Sequence, residues 1–381
     1  MNQLKPINAL QQAEQLIDAA RNDDFKERIP EIGEAAVQGD AEAQFVLGIA
    51  YHEGYGVGQD TEQAVRWQRK AAEQGHAQAQ YNLGVAYSTG QGVEEDEEQS
   101  VYWTHKAAEQ GHADAQYNLG IPYWYGDGVE QDHEMAARWF KKAAMQGHAG
   151  AQCLIGNAYY YGRGVEEDYE EAVKWYRKAA EQELAEAQFD LAALYYHGHG
   201  VEEDYEEAVR WFKKAAEQGF AEAQYQVGNA YCYGRGVEED YEEAVKWYRK
   251  AAEQGHAEAQ YSLAASYGAG DGAERDHEEA MRWLRKAAEQ GLADAQYHLG
   301  LSYYDTEDIE KDYEEAVKWL RKAAEQGHED AQYHLGIAYC EGEGAEKDRE
   351  EGVRWLRKAA EQGHLWAQHT LDDTHQNYTE P

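Results

Sequence analysis

The sequence predicts an all-α fold, an α-solenoid of nine 36-residue helix-turn-helix repeats with partial capping repeats at both ends. Three observations carry that prediction. The dipeptide Ala-Gln ends at Gln44, Gln80, Gln116, Gln152, Gln188, Gln224, Gln260, Gln296, Gln332 and Gln368, a constant step of 36 residues. Tryptophan keeps this step through nine positions from Trp67 to Trp355, and tyrosine through nine from Tyr51 to Tyr339. The segment YGRGVEEDYEEAVKWYRKAAEQ occurs twice unchanged, at Tyr161–Gln182 and Tyr233–Gln254. A fixed period of this size marks a stacked array, because one helical hairpin cannot bury both faces and a pile of hairpins can.

The units are 40–75, 76–111, 112–147, 148–183, 184–219, 220–255, 256–291, 292–327 and 328–363. Residues 1–39 read as N-terminal capping helices with a partial repeat, and 364–381 as a C-terminal capping helix and tail. Within a unit the first helix, for example Ala77–Thr89, sets Ala79, Leu83 and Tyr87 at i, i+4 and i+8. Gly84 costs such a helix about 1 kcal/mol against alanine. Its recurrence at Gly48, Gly120, Gly156, Gly228, Gly300 and Gly336 predicts close approach of a neighbouring helix backbone. The helix should stop at G-x-G, as at Gly90 and Gly92, where left-handed backbone is tolerated.

The second helix starts at an aspartate in every unit, from Asp60 to Asp348. A Glu or Gln three residues on predicts a reciprocal capping box in all units but the one with Met135. Ala172, Val173, Trp175, Tyr176, Ala179 and Ala180 form its apolar side, and Glu170–Lys174 reads as an i,i+4 pair facing water. Gln-Gly ends the helix, except where Glu183 replaces the glycine. Each indole buries roughly 150–250 Å², so nine in register predict a continuous aromatic spine.

Composition agrees with this architecture and narrows the function. Proline is scarce at 4, while tyrosine reaches 30 and tryptophan 11 against 6 phenylalanines, a preference for aromatics with a polar handle. The 74 carboxylates against 35 Lys and Arg give a net charge of −39. Such a field repels phosphate backbones and anionic lipid, so neither a nucleic-acid partner nor membrane insertion is expected. The charge reads first as a solubilising surface; salt adaptation or capture of a basic partner are the alternatives. Cys153, Cys232 and Cys340 fit neither a disulfide framework nor a paired zinc spacing. MNQLKPINALQQAEQLIDAARNDD has no apolar signal-peptide core, which points to the cytoplasm and leaves a secreted or periplasmic location open.

No catalytic motif stands out. The chain has no G-x-S-x-G, no phosphate loop ending in Gly-Lys-Ser/Thr and no H-E-x-x-H, and its glycine-rich stretches recur as connectors beside carboxylates that would repel phosphate. Ser88, Ser100, Ser262, Ser266 and Ser302 occupy ordinary repeat positions. No enzyme activity, cofactor or metal is therefore expected. Six histidines follow the turn glycine, at His76, His112, His148, His256, His328 and His364, which predicts a turn or helix-start duty. His197 with His199, and His298 with His334, are looser metal candidates, but adjacent helices about 8–10 Å apart set two ligands too far from one ion.

At these residues, Ala-Gln-x-x-Leu-Gly-x-x-Tyr, Gly-x-Gly-Val, Asp, Ala-Val-x-Trp and Ala-Ala-x-Gln-Gly, the chain resembles the Sel-1-like repeat, a relative of the tetratricopeptide repeat. The match runs from about Asp40 to Gly363. The resemblance implies a right-handed superhelix of antiparallel helix pairs. It also implies a scaffold or adaptor for protein–protein contacts, often bacterial, and an alternative hydrolase-like reading from relatives associated with β-lactams. Two departures stand out. No unit carries the cysteine pair that braces some members, and Thr306–Asp308 replaces G-x-G in one connector, a local change with the Asp312 cap retained.

Positions identical in every unit are explained by packing, so function is sought where units differ away from the core stripe. By analogy with tetratricopeptide stacks, the first helices line a concave groove. Asn82, Asn118, Gln226, His298 and His334 fall in one row of that face, Asn157 and Asn229 in a second, and Tyr125, Tyr161 and Tyr233 in a third. Amides that bond a main chain and tyrosines that supply low-entropy contact area suit an extended peptide or helix. The expected partner is thus a protein or peptide, with a basic one in view of the charge, held by a monomer.

Overall fold

The computed structural model describes residues 23–127, 129–304 and 311–376. Thr306–Asp308 lies outside the described residues, as do the first 22 positions of the expected N-terminal cap. Among the described residues the chain is helix, turn and loop, with no strand. The helices are α1 (Asp23–Val37), α2 (Ala41–Glu53), α3 (Thr61–Glu73), α4 (Ala77–Thr89), α5 (Glu97–Glu109), α6 (Ala113–Tyr125), α7 (His133–Met145), α8 (Ala149–Tyr161), α9 (Tyr169–Glu181) and α10 (Ala185–His197). They continue as α11 (Tyr205–Glu217), α12 (Ala221–Tyr233), α13 (Tyr241–Glu253), α14 (Ala257–Ala269), α15 (His277–Glu289), α16 (Ala293–Tyr304), α17 (Tyr313–Glu325), α18 (Glu329–Glu341), α19 (Arg349–Glu361) and α20 (Leu365–Gln376). Even numbers are first helices of a repeat and odd numbers second helices. The chain divides into two units, residues 1–187 with 199–201, and residues 188–198 with 202–381.

The helix ends follow from the residues at them. Eight first helices stop on a left-handed glycine with φ between 62° and 86°, from Gly54 to Gly342, a conformation costly for any residue with a Cβ. The connector is then closed by backbone, the Asp60 N–H donating to the Tyr51 carbonyl at 2.8 Å and the Asp348 N–H to Tyr339 at 2.9 Å. Each cap aspartate accepts the amide three residues on, as Asp60 from Gln63 at 2.9 Å and Asp240 from Glu243 at 3.0 Å. The reciprocal half of the expected capping box does not form, because the aspartate N–H is already spent on the tyrosine carbonyl.

The carboxylate at that third position turns outward instead. Glu171 receives Lys174 at 2.6 Å, so the pair is i,i+3 and not the expected Glu170–Lys174. Glu207, Glu279 and Glu315 accept the indole N–H of Trp211, Trp283 and Trp319 at 2.8, 3.1 and 3.0 Å.

A ladder of buried amides closes the other end of each hairpin. Gln44 donates from Nε2 to the Ala36 carbonyl of the preceding second helix at 3.0 Å, and its Oε1 accepts from Gln74 Nε2 at 2.8 Å. Gln74 ends the second helix of the same repeat while Gln44 lies in the first turn of the first helix, so the pair runs antiparallel. The equivalent glutamine pair recurs in all nine repeats at 2.6–2.8 Å. This is why Ala-Gln and Gln-Gly never vary together: a buried carboxamide must find partners for both ends.

The turn histidines cap the following helix. His76 Nδ1 accepts from the Ala79 amide at 3.1 Å, and its Nε2 lies 3.1 Å from Glu42 in the previous repeat. His256 does the same with Ala259 at 3.2 Å and Glu222 at 2.7 Å, its ring tilted against Tyr225. The ring therefore carries its proton on Nε2 and ties two repeats together. Where Phe220 takes the place, no side-chain cap forms.

The core is assembled between these two ends. Ala79, Leu83 and Tyr87 are buried as expected, and so are Ala172, Val173, Trp175, Tyr176, Ala179 and Ala180. The helical glycines face side chains of the paired second helix more than its backbone. A Cβ on Gly156 would stand 2.8 Å from the Tyr176 ring, and one on Gly228 would stand 2.5 Å from Tyr248. The tryptophans do not form one continuous spine. Of the nine in phase, seven are buried, but Trp67 and Trp247 are half-buried, and most are lidded by the lysine three residues on, with Nζ 3.6–4.0 Å from the ring centre. Tyrosine hydroxyls meet cations of the preceding second helix instead, as Arg69 with Tyr87 at 2.6 Å and Lys213 with Tyr231 at 2.8 Å.

Candidate functional site

The candidate residues sit on first helices, with Asn82, Asn118, Tyr125, Asn157 and Tyr161 in the first unit and Gln226, Asn229, Tyr233, His298 and His334 in the second. Each helix places its candidates by the same logic. The i, i+4 stripe faces the paired helix, so residues one or two places off it emerge at the surface. Asn157 and Tyr161 on α8, and Asn229 and Tyr233 on α12, stand four residues apart and share a helix face.

The tyrosines are the open members. Tyr125, Tyr161 and Tyr233 are 61%, 57% and 64% exposed, each in the last position of its helix before the left-handed glycine. Arg163 lies over the Tyr161 ring at 5.1 Å and Arg235 over Tyr233 at 5.7 Å, so both rings are already faced by a guanidinium from the connector.

The amides are more committed than the sequence shows. Asn157 accepts the Tyr176 hydroxyl at 2.5 Å, and Asn229 that of Tyr248 at 2.8 Å. Burial pushes the Tyr248 phenol far above its ordinary range, which fixes it as a donor. With one lone pair of each carbonyl oxygen so engaged, these asparagines have the second lone pair and the amide N–H groups to offer a ligand. Asn118 donates to the Tyr81 hydroxyl at 3.1 Å in the previous repeat, Asn82 accepts from Gln78 at 3.1 Å, and Gln226 donates to Glu222 at 3.3 Å.

His298 and His334 both lie against Tyr297, with ring centres 5.0 and 5.9 Å away. Burial holds both imidazoles below the usual histidine value, so they are neutral hydrogen-bonding groups at pH 7. Among the described residues no group of three His, Cys, Asp or Glu is placed to hold a metal ion. His199, the other metal candidate, stacks on Tyr169 at 5.1 Å and meets the Tyr160 hydroxyl at 3.4 Å. The G-x-G middle residue is thereby a link back to the previous repeat, as Tyr196 with Arg235 and Tyr304 with Glu343 also show.

The first helices of each unit offer rings and amides, joined in the second unit by neutral imidazoles. It is chemistry for holding a chain, with contact area from tyrosine and directional bonds from carboxamides. No described helix is long and apolar enough to cross a membrane. One feature escaped the sequence reading: the commitment of Asn157 and Asn229 to a tyrosine about 20 residues on. The tyrosine at 176 and 248, where other repeats carry Gln68, Thr104 or Leu320, was the available signal for it.

Known proteins place this architecture. The family model described as Sel1 repeat matches nine consecutive stretches, 41–76, 77–112, 113–148, 149–184, 185–220, 221–256, 257–292, 293–328 and 329–364. The crystal structure of c5321, a protective antigen present in uropathogenic Escherichia coli strains and displaying an SLR fold, superposes with a TM-score of 0.84 at 39% identity, covering 97% of this chain and 82% of that one. A Sel1 repeat protein from Oxalobacter formigenes matches with a TM-score of 0.66 at 34% identity, covering 81% of this chain and 89% of the other. No curated protein matches the chain.

Proposed function

Because the chain belongs to the Sel1 repeat family, we propose that it is a non-catalytic, monomeric adaptor that grips an extended peptide or helix of a partner protein on its first-helix face. Repeat proteins of this kind are protein-interaction scaffolds. The carrying observation is the exposure of Tyr125, Tyr161 and Tyr233 at one place in three first helices, while the tyrosines of the core row, such as Tyr87, are buried or bonded to a neighbour. A large ring left in water contributes little to folding, but it binds at small entropic cost, having only two side-chain torsions to fix. Asn118, Asn157 and Asn229 offer amide donors, and Asn82, Gln226, His298 and His334 extend the same rows. The acidic surface favours a basic partner, whose approach it would accelerate.

A photoreactive benzoylphenylalanine placed at Tyr161 or Tyr233 tests this assignment. It should crosslink the same partner from either position, and a control at Glu181, in the last turn of a second helix, should crosslink none. Equal labelling from Glu181 would remove the first-helix face from consideration.

A further inference from the structure

Charge is sorted between the two helices of a repeat. None of the ten described first helices contains a lysine or an arginine, whereas α13, α15 and α17 each carry three carboxylates and three cations. In the second unit the first-helix carboxylates keep the 36-residue step, as Glu222 on α12, Glu258 on α14, Asp294 on α16 and Asp330 on α18. Glu222, Gln226, Asn229 and Tyr233 stand at i, i+4, i+7 and i+11, so the row runs along the first-turn edge of the candidate face. One step on, the same place holds Trp366, 70% exposed. The place is open in every repeat of this row: the four carboxylate side chains are 42–64% exposed although another first helix follows each.

The bonds these carboxylates already make orient them without neutralising them. His256 Nε2 lies 2.7 Å from Glu222, His328 Nε2 3.3 Å from Asp294 and His364 Nε2 3.1 Å from Asp330. In each ring Nδ1 accepts a helix amide, so the imidazole is a neutral donor and the carboxylate keeps its charge. The bond from His256 holds the Glu222 carboxyl below its ordinary range. Four residues on, the stripe continues with Gln226, Ser262 and the neutral His298 and His334, so these helices bring no cation of their own to the row. Their spacing is set by contact: the His298 ring centre lies 5.7 Å from that of Tyr261 in the previous first helix, and His334 5.9 Å from Tyr297. Helices touching in this way have axes about 8–10 Å apart. A polyproline II segment returns to the same side at every third residue, about 9 Å on. A β-strand returns after about 7 Å.

Resting on the first-helix reading above, we propose that the partner segment held by the second unit is a basic polyproline II stretch with lysine or arginine at every third residue. It lies across α12, α14, α16 and α18 and pairs one cation per repeat with Glu222, Glu258, Asp294 and Asp330. An apolar residue one step further packs on the open Trp366 ring, the kind of side chain that anchors interfaces. The row selects the segment by charge and period, while the rings and amides beside it supply contact area.

The test is fluorescence anisotropy with a labelled peptide of four Pro-Pro-Lys triplets, flanked at each end by leucine in the same step. It is titrated with the intact chain, with Glu222→Gln/Glu258→Gln/Asp294→Asn/Asp330→Asn and with Trp366→Ala. Gln78 already holds His112 at 2.8 Å in this place, so the amide variant should melt as the parent does. The proposal expects binding that weakens with salt, falls about tenfold or more in the amide variant and falls about threefold in Trp366→Ala. Absence of binding by the parent, or equal affinity for the amide variant, overturns it. So does equal affinity for a peptide of the same composition with its lysines consecutive, or tighter binding of a helical peptide with lysine at every seventh residue. Self-association in sedimentation that disappears in Trp366→Ala would assign the indole to a second copy and overturn it as well. Any of these results beside an intact partner crosslink from Tyr233 rejects the basic segment alone; a lost crosslink rejects the first-helix reading with it.

Discussion

At the turn joining one repeat to the next, side chains do the holding. Gln224 is 5% exposed and bonded to both Ala216 and Gln254, while His256 caps a helix and reaches back to Glu222. At the connector inside a repeat, backbone does it: left-handed glycines turn the chain, and an aspartate amide closes on a tyrosine carbonyl. The difference explains where this sequence is constant and where it varies. Turn-end side chains are fixed by their partners, whereas connectors tolerate Gln91, Arg163, His199 or Glu343 at the same place. Stability is concentrated at one end of the hairpin, and variation is left to the other end and to the first-helix surface.

The sharpest way to break that contrast is Gln224→Ala. It strands the buried Ala216 carbonyl and removes the partner of the more exposed Gln254 amide, and should cost about 1–3 kcal/mol in urea unfolding. Arg235→Ala in a connector should stay within about 0.5 kcal/mol; equal losses would erase the distinction. Gly156→Val drives a side chain into the Tyr176 ring and should cost about 1–3 kcal/mol by overpacking. A neutral result would mean that the ring moves aside.

The histidine caps add a pH dependence. Burial holds the imidazoles of His112, His298 and His334 below the ordinary value of 6.5. A depressed folded value means that their contribution is complete above about pH 6.5 and is lost as pH falls through the folded value. His112 should feel this most, since protonating Nδ1 also abolishes its bond from the Ala115 amide, 3.2 Å long. His112→Asn keeps a cap without titrating, so the fall in melting temperature between pH 7.5 and 5.5 should be shallower in that variant. An unchanged slope would show that His112 does not titrate in this range.

Glu183 is the one place where the turn end breaks its own rule. Among the described residues it alone, apart from glycines, has positive φ, at 65°, where other turns use glycine. Glu183→Gly should therefore stabilise by about 1 kcal/mol, visible as a higher urea midpoint. Smallest of all, Tyr125→Ala, Tyr161→Ala and Tyr233→Ala should each leave stability within about 0.5 kcal/mol, because these rings are exposed.

Much of this was legible in the residues alone. Ala77–Thr89 matches its helix to the residue, every aspartate cap forms, and the turn histidines start helices as their spacing required. These are local signals, carried by three or four neighbouring residues. What escaped was long-range. The partner of Gln44 is 30 residues away, and a polar residue at regular spacing gives no hint that it is buried. The capping box failed because its aspartate amide had a better-placed acceptor across the connector. The candidate face was found by asking where repeats differ, but the bonds from Asn157 and Asn229 to buried tyrosines depend on which helix packs beside them.

Those bonds decide how the binding face must be probed, since removing the asparagines would disturb the core along with the surface. The most direct measurement is the affinity of the crosslinked partner for the intact chain and for the triple variant Tyr125→Ala/Tyr161→Ala/Tyr233→Ala, with melting followed in parallel. A loss of about tenfold or more in affinity at an unchanged melting temperature is predicted. Full affinity in a variant that melts like the parent would contradict the assignment of binding to the first-helix face.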